Sequence, residues 1–345
     1  MNRGRMLPTR LLAAAAALLL VACAGPAPGP TRSDAGAAVA PANGEVLARN
    51  ERFVLYRARG SDDLRGIAAR FLSDADKWWR IADYNEGIRL RAGTIVVVPL
   101  EPPKPGGVDT RQFQTVPILC YHRFGPGTSK MIVSAANFAR QMQWLADNDY
   151  RVIPLSELAA FLEGHADLPK RAVAITIDDG YRTVYEHAYP ILRKHGFPAT
   201  VFLYTDFVGA GDALDWKQMR EMVDSGLVDI QAHSKSHSNL IQRAPGEDAK
   251  AYATRIDREI AAPIKVIESR LPVDVARFAF PYGDVNQDVL EHLARHDYEL
   301  GFTVNPGGNG FFAEKFMLRR TMIYGDHSLA AFKARLETSL PVSNP

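Results

Sequence analysis

Two aspartates stand side by side at the end of an apolar run in AITIDDGYRT, residues 174–183. Adjacent like charges repel, and a buried carboxylate is costly unless something pairs with it. Asp178 and Asp179 therefore read either as a solvated turn or as a place where a cation and a proton are shared. Further along, His233 and His237 in HSKSH are four residues apart. In a helical turn that spacing puts two imidazoles on one face. Two histidines and one carboxylate around an ion, with a position left open for water, make up a catalytic zinc site. One aspartate could ligate the cation while its neighbour stays off it and takes a proton from the bound water, whose pKa zinc lowers to about 7. A positioned base adds roughly 10²–10⁴ in rate. Alone, the histidine pair would more often be structural or solvated; a strand-terminal Asp-Asp on the same rim favours a divalent metal, Zn²⁺ first.

The elements that must position these groups are legible as an alternation. TVPILCYH, RAVAITI, PATVFLY, LVDIQAH, ARFAFPYG and YELGFTV read as strands. Between them SAANFARQMQWLADND, VYEHAYPILRKHG, DWKQMREMVDSG, YATRIDREIAAPIKVIESRL and NQDVLEHLARHD read as helices. That rhythm predicts an α/β domain of parallel strands with crossover helices. The number of units favours a distorted (β/α) barrel of about seven strands, with its chemistry at the C-terminal strand ends. Tyr121-His122, Asp178-Asp179-Gly180, His233 to His237 and Pro281-Tyr282-Gly283 all fall at such ends. Polar, titratable groups thus gather on one rim.

With TIDDG, HSKSH and FPYG in place, residues of about 115 to 335 resemble the polysaccharide deacetylases of carbohydrate esterase family four, the NodB-homology domain. The resemblance implies that Asp178 is the general base and that Asp179, His233 and His237 hold the metal. It further implies that the backbone N–H of Tyr282, after Pro281, stabilises an oxyanion and that both residues border the substrate. Departures are visible. The family's third motif often carries an arginine that orients the base; Ala279 stands in that place, with Arg277 two positions earlier. The fourth motif is absent after YELGFTV, where TVNPGGN stands instead. The fifth normally supplies a histidine as general acid, and His327 in MIYGDHSLAAF is the late histidine, with capping of the following helix as its plain alternative. VPILCYHRF and FAFPYGD look more like the deacetylases of poly-N-acetylglucosamine, in which His122 lies near the site. Cys120, on an apolar strand, reads as a buried inert thiol.

Upstream, residues 51–100 predict strand, helix, helix and strand. They resemble a LysM domain through the YRARGSDDLRGIA opening, Ile81, Asn85, Leu90, Gly93 and the closing VVVP. That resemblance implies binding of N-acetylglucosamine-containing glycans by loops near Gly60–Asp63 and Asn85–Ile88. A folded spacer is the alternative. A Pro/Gly linker, residues 101–113, separates this unit from the deacetylase-like domain, 114–345.

The N-terminus settles the compartment. Arg3, Arg5 and Arg10 precede the apolar run LLAAAAALLLVA, too short to span a bilayer and laid out like a secretory signal. Leu20-Val21-Ala22-Cys23 resembles a bacterial lipobox, which implies removal of residues 1–22 and a lipid anchor at Cys23. The expected location is the cell envelope, on the outer membrane or periplasmic face where the cell has two membranes. An ordinary secretory signal with a chance cysteine is the alternative. Residues 23–50, rich in Ala, Gly and Pro, predict a disordered tether. With Cys23 lipidated, Cys120 has no partner for a disulfide. Removing residues 1–22 leaves 38 basic residues against 39 acidic ones, with no basic block, so a nucleic-acid partner is not expected.

The leading function is thus a metal-dependent hydrolase that removes N-acetyl groups from an N-acetylglucosamine-containing polysaccharide, peptidoglycan or a poly-N-acetylglucosamine-like exopolysaccharide, at the cell envelope. The missing arginine keeps open an O-acetyl esterase, whose leaving alcohol needs no strong acid. A catalytically inactive glycan-binding envelope lipoprotein is the rival outside enzymology.

Overall fold

The computed structural model describes residues 44–102, 105–127 and 129–342. The signal, Cys23 and most of the tether lie outside the described residues.

The small domain is a three-stranded antiparallel sheet, β1 (Glu45–Arg49), β2 (Phe53–Arg57) and β3 (Ile95–Pro99), in that order. Helices α1 (Leu64–Leu72) and α2 (Trp78–Tyr84) lie between β2 and β3. Asp63 caps α1 by accepting from Gly66 N at 2.6 Å. Ile67, Ala68 and Ile81 meet Val54, Tyr56, Val96 and Val98 in one small core. Asn85 ties α2 to β3: its amide donates to Ile81 O and Val97 O and accepts from Val97 N. Strand β1 falls in residues that composition assigned to the tether. All five of its side chains are exposed, so it carries no apolar alternation; besides its backbone ladder, Glu45 accepts from Arg57 Nη1 of β2 at 2.8 Å.

The large domain is built on β4 (Val116–Tyr121), β5 (Ala172–Asp179), β6 (Ala199–Leu203), β7 (Val228–Ala232), β8 (Arg277–Ala279) and β9 (Leu300–Phe302). These are parallel neighbours in sequence order, and β10 (Gly308–Asn309) is added antiparallel to β4. The result is a curled, half-barrel sheet of seven strands. Its gap is crossed by a single segment. Leu318 bridges to Phe302 of β9, and three residues later β11 (Thr321–Met322) begins to pair parallel with Leu119 and Cys120 of β4. That crossing segment carries Arg320.

Helices α3 (Ala135–Asp147), α4 (Leu155–Leu162), α5 (Tyr189–His195), α6 (Trp216–Asp224), α7 (Ala249–Glu268), α8 (Gln287–Arg295) and α9 (Leu329–Lys333) are amphipathic or cap-defined. Ser134, Asp215, Asp248, Asn286 and Ser328 accept from first-turn N–H groups as N-caps. Strand β5 is buried along its whole length, and its side chains divide with period two. Ala172 and Ala174 join Ile118, Phe202, Ala279 and Phe302 inside the curl. Val173, Ile175 and Ile177 join the core between sheet and helices. The same alternation carries Thr176 and Asp178 along the inner face.

The two domains touch. Arg80 of α2 and Asp167 form a largely buried ion pair at 2.6 Å, and Lys170 N donates to Asp83 at 3.0 Å. A cavity of about 440 Å³ lies at this junction, lined by Trp79, Tyr84, Gln114 and Lys170 among others.

Candidate active site and metal centre

Asp178 and Asp179 end β5 and do different things. Arg320 grips Asp178 through two parallel bonds, Nη1 to Oδ1 at 2.6 Å and Nη2 to Oδ2 at 2.8 Å. The guanidinium is fully buried. It also donates to Thr303 O from Nε and to Thr176 Oγ1 from Nη1, and it lies 5.3 Å from the centre of the Phe202 ring. Burial works to raise the Asp178 pKa, but the Arg320 charge, the nearby His233 and His122, and the Arg320 hydrogen bonds together outweigh it and hold the carboxyl well below the usual range. Asp178 is therefore an oriented anion with lone pairs to spare.

Cys120 shares this environment: its Sγ is 3.4 Å from Asp178 Oδ2. Burial, chiefly, pushes the thiol pKa well up, so it faces the carboxylate as a neutral donor and not as a nucleophile. One ligand-type atom each from Cys120, His122 and Asp178 lie within 4.8 Å of one another, which brings the His122 ring to the base.

Asp179 turns out of the strand with φ 76°. Its Oδ1 is 3.3 Å from His237 Nε2 and 3.6 Å from His233 Nε2. The His233 ring is oriented from behind, with Nδ1 2.7 Å from Ala279 O. Nδ1–H donating to that carbonyl leaves the Nε2 lone pair aimed at Asp179, as metal-binding histidines are usually arranged. Burial holds the His233 pKa down, which favours the neutral imidazole a metal needs. His237 reaches the same point through a loop rather than a helical turn. Ser234 and His237 have φ of 66° and 59°, and Ser234 Oγ accepts from His237 N at 2.9 Å. Buried Glu259 of α7 secures the loop, accepting from Ser236 N and Ser236 Oγ, both at 2.8 Å.

The donor set fits a divalent ion. Asp179 Oδ1 is buried with no hydrogen-bond partner, an orphan that a cation would satisfy. Asp179, His233 and His237 each offer a ligand atom, all within 4.8 Å of one another.

Tyr282 sits in the turn Pro281–Gly283 with φ 62°, in the left-handed region that a tyrosine enters only at a cost of about 1–3 kcal/mol. Gly283 follows at φ 77°, where a Cβ would lie 2.8 Å from Val304 N, so glycine is required. The Tyr282 ring is largely exposed and meets the His237 ring edge-on at 4.9 Å. Pro281, before it in the turn, is buried.

The structure thus brings Asp178, Asp179, His233, His237 and His122 to one rim, with Tyr282 beside them. His327 is engaged elsewhere. Its Nδ1 faces Tyr324 N at 3.1 Å, its Nε2 faces Arg335 Nη2 at 3.1 Å, and Ser328 caps α9 instead. Arg277 begins β8, at the end of the sheet remote from the rim, and pairs with Asp229 and Glu299. Sequence reasoning missed Arg320, which lies 142 residues beyond Asp178 and belongs to the crossing segment. It also missed an aromatic wall. Tyr204 stacks on Phe207 at 4.9 Å and approaches His237 at 5.2 Å, and Tyr181 packs on Phe207 and carries Arg123 over its ring. The ending of VFLYTDF, an aromatic pair just past a strand, was the available signal.

A buried carboxylate clamped by arginine, beside an Asp-His-His group at strand ends of a curled α/β sheet, defines a hydrolase site of the polysaccharide-deacetylase kind. Residues 165–301, within the large domain, match the family model described as polysaccharide deacetylase. The match stops short of Cys120 and His122 on one side and of Arg320 on the other. YxkH of Bacillus subtilis, which bears the polysaccharide-deacetylase name, is 29% identical over 231 residues, covering 67% of this chain and 79% of that one. The poly-beta-1,6-N-acetyl-D-glucosamine N-deacetylase of Staphylococcus aureus is 29% identical over 196 residues, covering 54% of this chain and 67% of the relative. Among solved structures, the Streptococcus pyogenes deacetylase PplD superposes with a TM-score of 0.59 at 26% identity, covering 65% of this chain and 98% of its own. IcaB from Ammonifex degensii gives 0.56 at 26%, covering 65% and 97%.

Proposed function

We propose that the protein is a metal-dependent N-deacetylase of an N-acetylglucosamine-containing polysaccharide, of the poly-N-acetylglucosamine type, working at the cell envelope. The observation that carries this reading is the division of labour between two adjacent carboxylates: Asp178 is locked to Arg320, and Asp179 is turned to two imidazole Nε2 atoms. The kinship with an enzyme named for poly-beta-1,6-N-acetyl-D-glucosamine supports the substrate class. The aromatic wall of Tyr204, Phe207 and Tyr181 beside His237 suits the apolar faces of sugar rings.

A divalent ion held by Asp179, His233 and His237 would supply Lewis-acid polarisation and make a nearby water more acidic. Asp178 takes the proton as that water attacks the acetyl carbonyl, and Arg320 keeps the carboxylate ionised and aimed. The Tyr282 backbone N–H stabilises the developing oxyanion. His122, beside Asp178 and free of the contacts that occupy His327, protonates the glucosamine nitrogen as the C–N bond breaks. Acetate and a free amine result. The small domain, read as a LysM unit, holds the polymer, and lipid on Cys23 keeps the enzyme at the membrane. Tethering raises the effective concentration of the catalytic domain on its substrate.

The test is acetate release from poly-β-1,6-N-acetylglucosamine, chitin oligomers and peptidoglycan by metal-loaded protein. Release from the first, lost by at least about 100-fold in Asp178→Asn, is expected. Acetate from O-acetylated xylan but from none of the three would show an esterase instead, and acetate from nothing would show a binding protein.

A further inference from the structure

A second group of the same composition lies outside the active site. Asp257 on α7 faces His292 on α8 and His296 at its C-cap, with Oδ1 2.8 Å from His296 Nε2 and 3.4 Å from His292 Nδ1. Here the histidines, four residues apart, do leave one face of a helical turn. One ligand atom from each of the three residues lies within 4.8 Å of the others. Zinc bonds of 2.0–2.1 Å in a tetrahedron set ligand atoms ~3.4 Å apart, so the trio stands close to ligating spacing.

A separate observation points to a ligand. The His292 side chain is only 6% exposed, and its Nδ1 is buried without a hydrogen bond. Buried donors and acceptors are rarely left unpaired. The same signature, one orphaned buried ligand atom in an Asp-His-His set, marks Asp179 Oδ1 in the active site. Asp257 is half-exposed, which leaves room for water at a fourth position.

We propose that Asp257, His292 and His296 form a second binding site for a divalent transition-metal ion of the zinc type, stapling α7 to α8. The staple has a destination. Two residues along α7, Glu259 holds the loop that presents His237. An ion between α7 and α8 fixes the helix from which that loop hangs, so the second metal is structural and sits outside the chemistry.

The experiment separates the two sites. Untagged protein carrying Asp179→Asn and His237→Ala lacks the catalytic donor set; it is stripped, reloaded with Zn²⁺ and assayed for bound metal and for Tm. One zinc per chain and a rise in Tm on zinc addition are expected. Adding His296→Gln removes both effects, and Asp257→Asn, at a half-exposed position that disturbs packing least, does the same. His296→Gln alone keeps one zinc and its acetate release, but its Tm rises less on zinc addition than that of the unsubstituted protein. Absence of zinc from the Asp179→Asn/His237→Ala protein, or its retention after both further substitutions, overturns the proposal.

Discussion

Asp178 and Arg320 are each fully or almost fully buried and form a two-bonded ion pair. Removing one partner of such a pair leaves a stranded charge, at a cost of about 3–5 kcal/mol. Arg320→Met is therefore expected to lower the unfolding free energy by that order in denaturant titrations. The double variant Asp178→Asn/Arg320→Met is expected to recover much of it, because no charge is then stranded. Both proteins lose turnover, since one lacks the clamp and the other the base. Glu259→Gln acts at one remove: weakened bonds to Ser236 loosen His237, so metal affinity falls roughly 10–100-fold while the Asp178 clamp is untouched. Competition with a zinc chelator reads that change. The four groups Asp178, Asp179, His233 and His237 were legible because each pair is contiguous or four apart in the chain. Arg320 was not, because only the closing of the sheet brings residue 320 to residue 178. Cys120 was read as inert packing; as a thiol it is inert, yet it faces the base.

At the scale of elements, period-two burial along β5 explains why one aspartate faces inward to Arg320 and why a left-handed turn is needed to aim the next one elsewhere. The six parallel strands and helices α3, α5, α6, α7 and α8 of the large domain were legible as an alternation, whereas the short α4, β10 and β11 were not. Strand β1 was not, since exposed side chains leave no pattern, and the HSKSH loop mimics helical spacing through two left-handed residues. The entry to α7 offers a pH test. Glu247 accepts from Ala244 N and from two nitrogens of Arg255, and the Arg255 bonds bring its pKa down to about 2. A depressed folded pKa contributes stability that is complete above the unfolded value, ~4.3, and is lost as pH falls toward 2. Unfolding free energy in wild type is expected to drop more steeply through that window than in Glu247→Gln. Parallel slopes would contradict it.

For the whole molecule, the contact between the two domains left no mark in the sequence. Arg80 and Asp167 sit on segments with no sequence signature of pairing. Deleting residues 44–100 is expected to slow acetate release from insoluble polymer several-fold more than from short oligomers, because only the polymer offers a second attachment point. Equal loss on both would assign the small domain a purely structural part. The central claim is that two neighbouring aspartates divide the work, one holding metal and one moving a proton. It is tested most directly by measuring bound metal and acetate release on the same preparations of Asp178→Asn and His237→Ala. Asp178→Asn should keep its metal and lose turnover, and His237→Ala should lose both. Turnover surviving in Asp178→Asn, or metal lost from it while His237→Ala stays loaded, would contradict the account.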